Sequence, residues 1–553
     1  MGFSKDKDLE TNLGLTRTVS TSPVGEVSDN VNHLERRLNN RQLQLIAIGG
    51  SIGTGLFVTI GSGLSNAGPA SLVLGVALYC VLIGLVNNCM AEMATFMPVS
   101  GGFIRMSGKW VDEALGFMVG WNFFLYEGLI IPFEITALTV LLSFWSDNIP
   151  AWAIVTVCII LYGILNVLAV GVYGEAEFWL SSGKVLLVGI LFGFTFFTMV
   201  GVNPQHDAYG FRNWKHGAFA EYRSSGDAGR LEGFLAALWS ASFFVVGPEY
   251  LAMAAGEVIR PRIYVKAAFK TAFWRFGFFF LGSALCVSVI ISHRDPTLAA
   301  ILGGSGEGGG TAAASPYVIA MKNMQIGVLP HIVNALLVTS IFSAGNTYTY
   351  CAIRSLYSLS LEGRAPAFLK RCTKSGVPVY CVVVTMAFPM LSFLQLSSSS
   401  STVLHWLVNL VTAGCVIDYV VICITFLFFY RACKVQGLDR KTLPYYGYFQ
   451  PYCAWAGLVG TVFVVLCYGY SSFAPWSVAA FFTYYTMVLV GIATFSFWKL
   501  FKRTKIITAH EADLIWEKPD IDAYEATLEE EPVVGFWVEV LQMLGLWTFF
   551  VRK

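Results

Sequence analysis

Two short runs of this chain put flexible and polar groups where everything around them is apolar. The first, Gly49-Gly50-Ser51-Ile52-Gly53-Thr54-Gly55, has four glycines in seven residues. The second, Val245-Val246-Gly247-Pro248-Glu249, joins a glycine, a proline and an acid. Proline removes a backbone donor and glycine frees the backbone, so each run is a place where a helix comes apart. Unwound backbone at membrane depth offers free N–H groups to a carboxylate and free C=O groups to an ammonium. Single ionisable residues add to this chemistry: Lys184, Glu127, Glu134 and Asp418 all fall inside apolar stretches. An ionised side chain at mid-membrane costs at least ~2.5–3.5 kcal/mol, so each needs a partner or a role. Glu127 and Glu134 lie two helical turns apart and so project from one face.

The elements that must hold these residues are of membrane length. The 553 residues are 56% hydrophobic and only 13% charged, against about 25% charged in a typical soluble domain. Mean hydropathy is +0.62. Apolar runs between charged or Gly/Pro-rich breaks predict about twelve spans, each able to cross ~30 Å of hydrocarbon. They fall near 43–64, 69–98, 114–145, 150–172, 175–200, 233–257, 266–292, 328–360, 377–396, 403–430, 450–472 and 476–500. The third and eighth are long enough that they must tilt or extend beyond the bilayer. The two broken runs fall in the first and sixth spans. Proteins built from two inverted five-helix repeats unwind the first helix of each repeat to form a solute site at mid-membrane. By that logic Ser51, Gly53, Thr54, Gly55, Val246 and Gly247 are site residues.

The soluble remainder is small: a tail over 1–41, a membrane domain over 42–501 and a second tail over 502–553. The first forty residues are polar, with Lys5, Lys7, Arg17, Arg36 and Arg37, and do not read as a signal peptide. Basic residues collect in the connections after even-numbered spans, among them Arg105, Lys109, Arg260, Arg262, Arg364, Lys370, Arg431, Lys434 and Lys499. Short connections on the other side have no Lys or Arg, which places both termini in the cytosol. The apolar stretch Gly535–Phe550, with Trp537 and Trp547 after the acidic run Glu529–Glu531, reads as an interfacial helix. The polar tails are candidate docking segments for trafficking or ubiquitination machinery. The twelve cysteines lie mostly inside spans and do not suggest a disulfide framework. A net charge of +1 with no basic face argues against nucleic acid as a partner. No metal-spaced His/Cys cluster, nucleophile elbow or phosphate loop supports an enzyme, and nothing suggests the continuous polar pore of a channel.

The same runs carry a family resemblance over nearly the whole chain. Arg41-Gln42-Leu43 through Gly49–Phe57 resembles the opening of fungal amino-acid permeases. Ala91-Glu92-Met93 with Pro98-Val99-Ser100-Gly101-Gly102-Phe103 is similar to the same family. So are Gly174-Glu175-Ala176-Glu177-Phe178-Trp179 with Lys184, and Ala255-Gly256-Glu257 with Pro261-Arg262. The family is the yeast amino-acid transporter group of the amino acid–polyamine–organocation superfamily. The resemblance implies a LeuT-like fold, with a 5+5 inverted repeat followed by two further helices. It also implies plasma-membrane location and uptake of amino acids or related amines driven by a proton gradient, with no cofactor.

It further suggests individual roles. In proton-coupled superfamily members a lysine at the position of Lys184 stands where sodium-driven relatives bind sodium. Lys184 is then a coupling group, or a static brace for the carbonyls of the broken first helix. Glu249 resembles the sixth-helix glutamate that links protonation to gating in bacterial antiporters; the alternative is a cap on the broken helix. Phe243 matches an aromatic gate, and Tyr348 a substrate-facing aromatic. Glu134 follows Pro132 as in many family members, and reads as structural. Glu127 is a departure, since many relatives are neutral there. A carboxylate facing the cavity favours a substrate with an extra positive charge, and pairing with Lys184 or another internal cation is the structural alternative. The run Tyr126–Glu134 is also similar to the branch linked to polyamines and carnitine. A nutrient sensor built on the same fold is a further alternative, and Asp418 receives no role.

Overall fold

The computed structural model describes residues 36–543 except 147, 169, 216, 303–314, 375, 398–399, 474 and 529–534. All twelve predicted stretches are helical. Span one is Asn40–Ser51 plus Gly55–Ala67, two Pro69–Phe96, three Glu113–Leu142, four Ala151–Val167, five Val170–Met199, and six Gly226–Phe244 plus Pro248–Ala254. Span seven is Pro261–Ile290, eight Leu329–Leu361, nine Val379–Leu396, ten Ser400–Val435, eleven Tyr452–Cys467 and twelve Val478–Lys502. Among the described residues nine helices are long and apolar enough to cross a membrane, and the bent pair of span one makes ten. Span four is a shorter apolar helix of 17 residues. Span eight falls outside that count through its polar residues. Its Asn334, Ser340, Ser343, Asn346, Thr347 and Thr349 are all fully buried, so they face the bundle and not lipid.

Packing follows a repeat. Span three packs on ten as eight packs on five, two packs on six as seven packs on one, and one packs on five as six packs on ten. Shifting each number by five converts one member of each pair into the other, as two five-helix repeats require. Spans eleven and twelve lie outside the repeat and pack on ten, with contacts to two and three. Span three runs as one helix through Pro132, whose missing N–H leaves the Gly128 carbonyl without its helical donor, while Thr136 Oγ1 donates back to the Pro132 carbonyl at 2.7 Å.

The described parts of both tails lie at one end of the bundle, where the Arg41 amide donates to Glu539. The chain after span twelve runs back across that end as a strap. The Trp110 indole donates to the Asp513 carbonyl (2.7 Å), Gln436 Nε2 donates to the Ala512 carbonyl (2.7 Å), and Trp516 is fully buried. Arg105 pairs with Glu517 at 2.5 Å and with Glu362 at 2.6 Å, and Arg262 pairs with Asp522 at 2.6 Å. Burial alone would push Glu362 up, but Arg105 and Arg364 outweigh it and hold its carboxyl below the usual carboxylate range. A carboxyl held low keeps its charge, and its contribution to docking, until the pH falls below its ordinary titration range. Deeper in, Arg354 of span eight pairs with Glu257 at 2.6 Å with both side chains buried, and the Glu257 carbonyl accepts from Arg37 and Leu38. The stretches leading into span one and out of span six are thereby tied to span eight. Of the expected interfacial helix, Phe536–Met543 is a helix whose Glu539 accepts from the Arg41 amide; Glu529–Glu531, Trp547 and the Trp537 side chain lie outside what is described, as do Lys5, Lys7 and Arg17.

Candidate functional site

Span one turns by 45° between Ser51 and Gly55. Two carbonyls released by the break are taken up by side chains from other spans. Lys184 of span five, fully buried, donates to the Gly49 carbonyl at 2.6 Å. The Tyr348 hydroxyl of span eight donates to the Gly50 carbonyl at 2.9 Å. Beyond the break, the Thr54 hydroxyl donates to Glu134 Oε2 of span three at 2.5 Å. Gly55 is set hard against span six: a Cβ there would lie 2.5 Å from Phe244 Cβ and 3.2 Å from its Cα. The glycines of this run are thus needed for contact as much as for unwinding.

Span six breaks at Val245–Gly247, and Pro248 opens its second half at a position where the missing N–H is harmless. Gly247 has φ 152°, a conformation that other residues adopt only under strain. Glu249 Oε2 accepts from the Gly247 amide at 3.2 Å, and the Tyr419 hydroxyl of span ten lies 2.9 and 3.0 Å from the two carboxylate oxygens. The carboxyl thus bonds the first backbone amide of the second half-helix.

The two breaks meet at a small central cavity. Span one contributes Ser51, Gly53, Gly55 and Leu56; span six contributes Phe243, Phe244 and Val246. Tyr126, Ile130 and Glu134 of span three and Tyr348 of span eight complete it. Its volume is about 10 Å³, room for roughly one water. Toward the tails it is closed by tyrosines: the Tyr126 and Tyr250 hydroxyls lie 3.1 Å apart, and the Tyr250 and Tyr348 rings are 5.9 Å apart. Toward the far end, Phe243 separates it from a second cavity of about 310 Å³ that it also lines. The protein is closed on the tail side, with a vestibule on the other.

Most residues expected at the site are therefore brought together: Ser51, Gly53, Gly55, Phe243, Val246 and Tyr348 line one cavity. Gly247 stands beside it, where an added Cβ would come 3.7 Å from Ser51. Thr54 turns its hydroxyl to Glu134 instead of lining the cavity. Lys184 lies behind span one, on the Gly49 carbonyl. Two expectations change. Glu134, read as structural, lines the cavity and touches the break. Glu127, expected to face the cavity, does not line it, although it shares a face with Glu134. Two turns of helix separate them by about 10 Å, and the tyrosine layer lies between. Glu127 is fully buried, neither carboxylate oxygen has a hydrogen-bond partner, and it is not paired with Lys184. It lies within electrostatic reach of Glu249 and Asp418. Asp418 accepts from Asn122 Nδ2 at 2.9 Å.

One acid was missed as a group with chemistry. Glu177 of span five is fully buried and accepts from Ser181 at 2.8 Å, from Ser343, and from Asn346 at 3.4 Å. Glu177, Ser181 and Lys184 recur at i, i+4 and i+7, a single stripe facing spans one and eight. That spacing was available in the sequence. Among the described residues no group of three or more His, Cys, Asp or Glu is placed to hold a metal ion.

Comparison with known proteins agrees with this arrangement. Residues 42–511 match the family model described as Amino acid permease. The chain is 45% identical over 500 residues to a general amino acid permease of Saccharomyces cerevisiae, covering 89% of this chain and 83% of that protein. It is 36% identical to a proline-specific permease of Emericella nidulans, covering 92% of this chain and 93% of that one. A lysine/arginine permease of Candida albicans is 32% identical over 85% of this chain and 81% of its own. A match across nearly all the membrane spans, broken helices included, places the chain in the amino acid permease family.

Proposed function

We propose that this protein is a secondary transporter that imports amino acids across the plasma membrane, driven by an inward proton gradient, with both tails in the cytosol. The observation that carries the reading is the meeting of two broken helices at one buried cavity, in a chain of the amino acid permease family. Such breaks supply backbone N–H groups for a carboxylate and C=O groups for an ammonium, the two charges every amino acid has. The substrate carboxylate rests on the amides around Thr54 and Gly55, and the ammonium on the carbonyls freed near Val245 and Val246. The named substrates of the relatives, proline and lysine/arginine among them, support the amino-acid class and leave the side chain open. Nothing in those names supports a polyamine or carnitine reading.

The proton enters through the same geometry. Glu134 already occupies the end of the half-helix where the substrate carboxylate must sit, bonded to Thr54. Two carboxylates so close cannot both be ionised in a low-dielectric site. Binding of substrate therefore goes with protonation or withdrawal of Glu134. Lys184 braces the near side of the first break, and Glu249 holds the break in span six, where gain or loss of a proton changes how that break is held. Inward opening must part the Arg354–Glu257 pair and the tyrosine layer.

The test is uptake of the twenty labelled amino acids by the purified protein in liposomes. Accumulation of at least one amino acid is expected only with an inward proton gradient, whatever the external sodium. Accumulation that follows sodium and ignores pH overturns the proton coupling, and binding without accumulation of any amino acid overturns transport in favour of sensing.

A further inference from the structure

The way to the central cavity from the side away from the tails leads through the vestibule of about 310 Å³. Tyr222, in the loop before span six, and Ser471, between spans eleven and twelve, are part of its wall. That wall is polar, yet among the described residues no Lys, Arg, Asp or Glu lines it. It does hold one imidazole, that of His405 near the start of span ten, which is exposed. Histidine changes charge between about pH 5 and pH 8 in ordinary surroundings.

The neighbours of His405 permit that change and do not offset it. Its Nε2 lies 3.2 Å from the Asn409 side-chain amide, whose Oδ1 accepts from the Tyr468 hydroxyl at 3.2 Å. An amide nitrogen only donates, so Nε2 accepts and the ring is neutral here. A proton arriving at Nε2 turns the Asn409 amide over, with Oδ1 toward the ring and Nδ2 toward the Tyr468 hydroxyl. The chain of bonds then runs in the opposite direction and none is lost. The other titratable groups on the wall are the phenols of Tyr222, Tyr468, Tyr470 and Tyr484, neutral up to about pH 10. Spans one and six face the space with hydroxyls, the Asn66 amide and aromatic rings, none of which titrates. At the rim, Arg223 donates to the Ser471 carbonyl at 3.3 Å, and Glu232 accepts from the Arg223 amide at 3.2 Å. These two opposite charges stay constant between about pH 5.5 and pH 7.5.

We propose that His405 is a charge switch through which the pH outside selects the amino acids that enter. As imidazolium it draws in anionic amino acids and holds back basic ones; as neutral imidazole it lets both pass alike. One charge in a narrow space with low-dielectric walls acts further than the same charge on an open surface. This rests on the transport reading and adds a filter ahead of it. The broken helices bind the groups that all amino acids share, and the vestibule tells their side chains apart by charge.

The experiment reads the charge of the vestibule without transport, so the two readings can fail separately. Ser62, on the wall in span one, is replaced by cysteine in the full-length protein in lipid nanodiscs. The introduced thiol is labelled at low ionic strength with a cationic and an anionic methanethiosulfonate, above the background of the parent chain. Ionisation of the thiol cancels in the ratio of the two rates. The anionic-to-cationic ratio is expected to rise about fivefold or more from about pH 7.5 to about pH 5.5. With His405→Asn added it should stay at the low value at both pH values, and with His405→Lys at the high value at both. A ratio that does not change with pH in Ser62→Cys overturns the switch. So does a rise that survives His405→Asn in a monodisperse protein. The expected ratios without accumulation of any amino acid in liposomes would uphold the switch and remove the transport reading.

Discussion

The two broken helices solve the same problem with opposite chemistry. In span one the released carbonyls are met from outside: a lysine of span five and a tyrosine of span eight hold them, and Gly55 is pressed against span six. In span six the break is held largely by its own residues. Glu249 caps the Gly247 amide two residues away, and among the described residues the side chain bonded to it from another helix is Tyr419. An added Cβ at Gly247 would meet nothing closer than 3.7 Å, so only its φ is constrained. The first break is fixed by packing and by the side chains of Lys184 and Tyr348; the second hangs on the Glu249 carboxyl. We read the first as the place where substrate is recognised, and the second as the place where a proton changes the helix.

If that division holds, the largest effect belongs to Gly55. Gly55→Val puts a branched side chain where a single Cβ already lies 2.5 Å from Phe244, and uptake should be lost with surface expression retained. Normal uptake in this variant would show that the break does not bind substrate. Lys184→Met comes next. It leaves the buried Gly49 carbonyl without its donor, a loss of about 1–3 kcal/mol. A lower Tm is expected together with lost uptake, and an unchanged Tm would mean that the lysine does not brace the break. The smallest effect is assigned to Glu127. Because the tyrosine layer stands between it and the cavity, Glu127→Gln should leave KM within about twofold for neutral and basic amino acids alike. A tenfold loss confined to basic substrates, roughly 1.4 kcal/mol, would return Glu127 to the binding site.

Much of this was legible in the sequence. Twelve apolar runs became twelve helical stretches, and the breaks at Gly49–Gly55 and Val245–Glu249 were plain because glycine and proline act locally. What depends on the third dimension was harder. Periodicity put Glu127 and Glu134 on one face correctly, but it could not show that Tyr126, Tyr250 and Tyr348 would close between them. Glu177 lay unread within a family motif, since its meaning comes from Ser343 and Asn346 on another helix. Tyr419 and the strap around Trp516 depend on contacts across hundreds of residues, for which composition holds no signal. The polar residues of span eight show the reverse case: they lower its hydropathy, yet the long run of helix was still found from its ends.

The division of labour between the breaks is tested most directly by Glu249→Gln in proteoliposomes, comparing counterflow exchange with net uptake driven by a pH gradient. Exchange needs recognition and helix movement but no net proton transfer. Glutamine keeps the size of the side chain and an oxygen for the Gly247 amide, but holds no titratable proton. The account predicts that exchange continues within a fewfold of the wild type while gradient-driven accumulation disappears. Equal loss of both, with the protein folded, would make Glu249 a structural cap, and full retention of driven accumulation would place the coupling proton elsewhere.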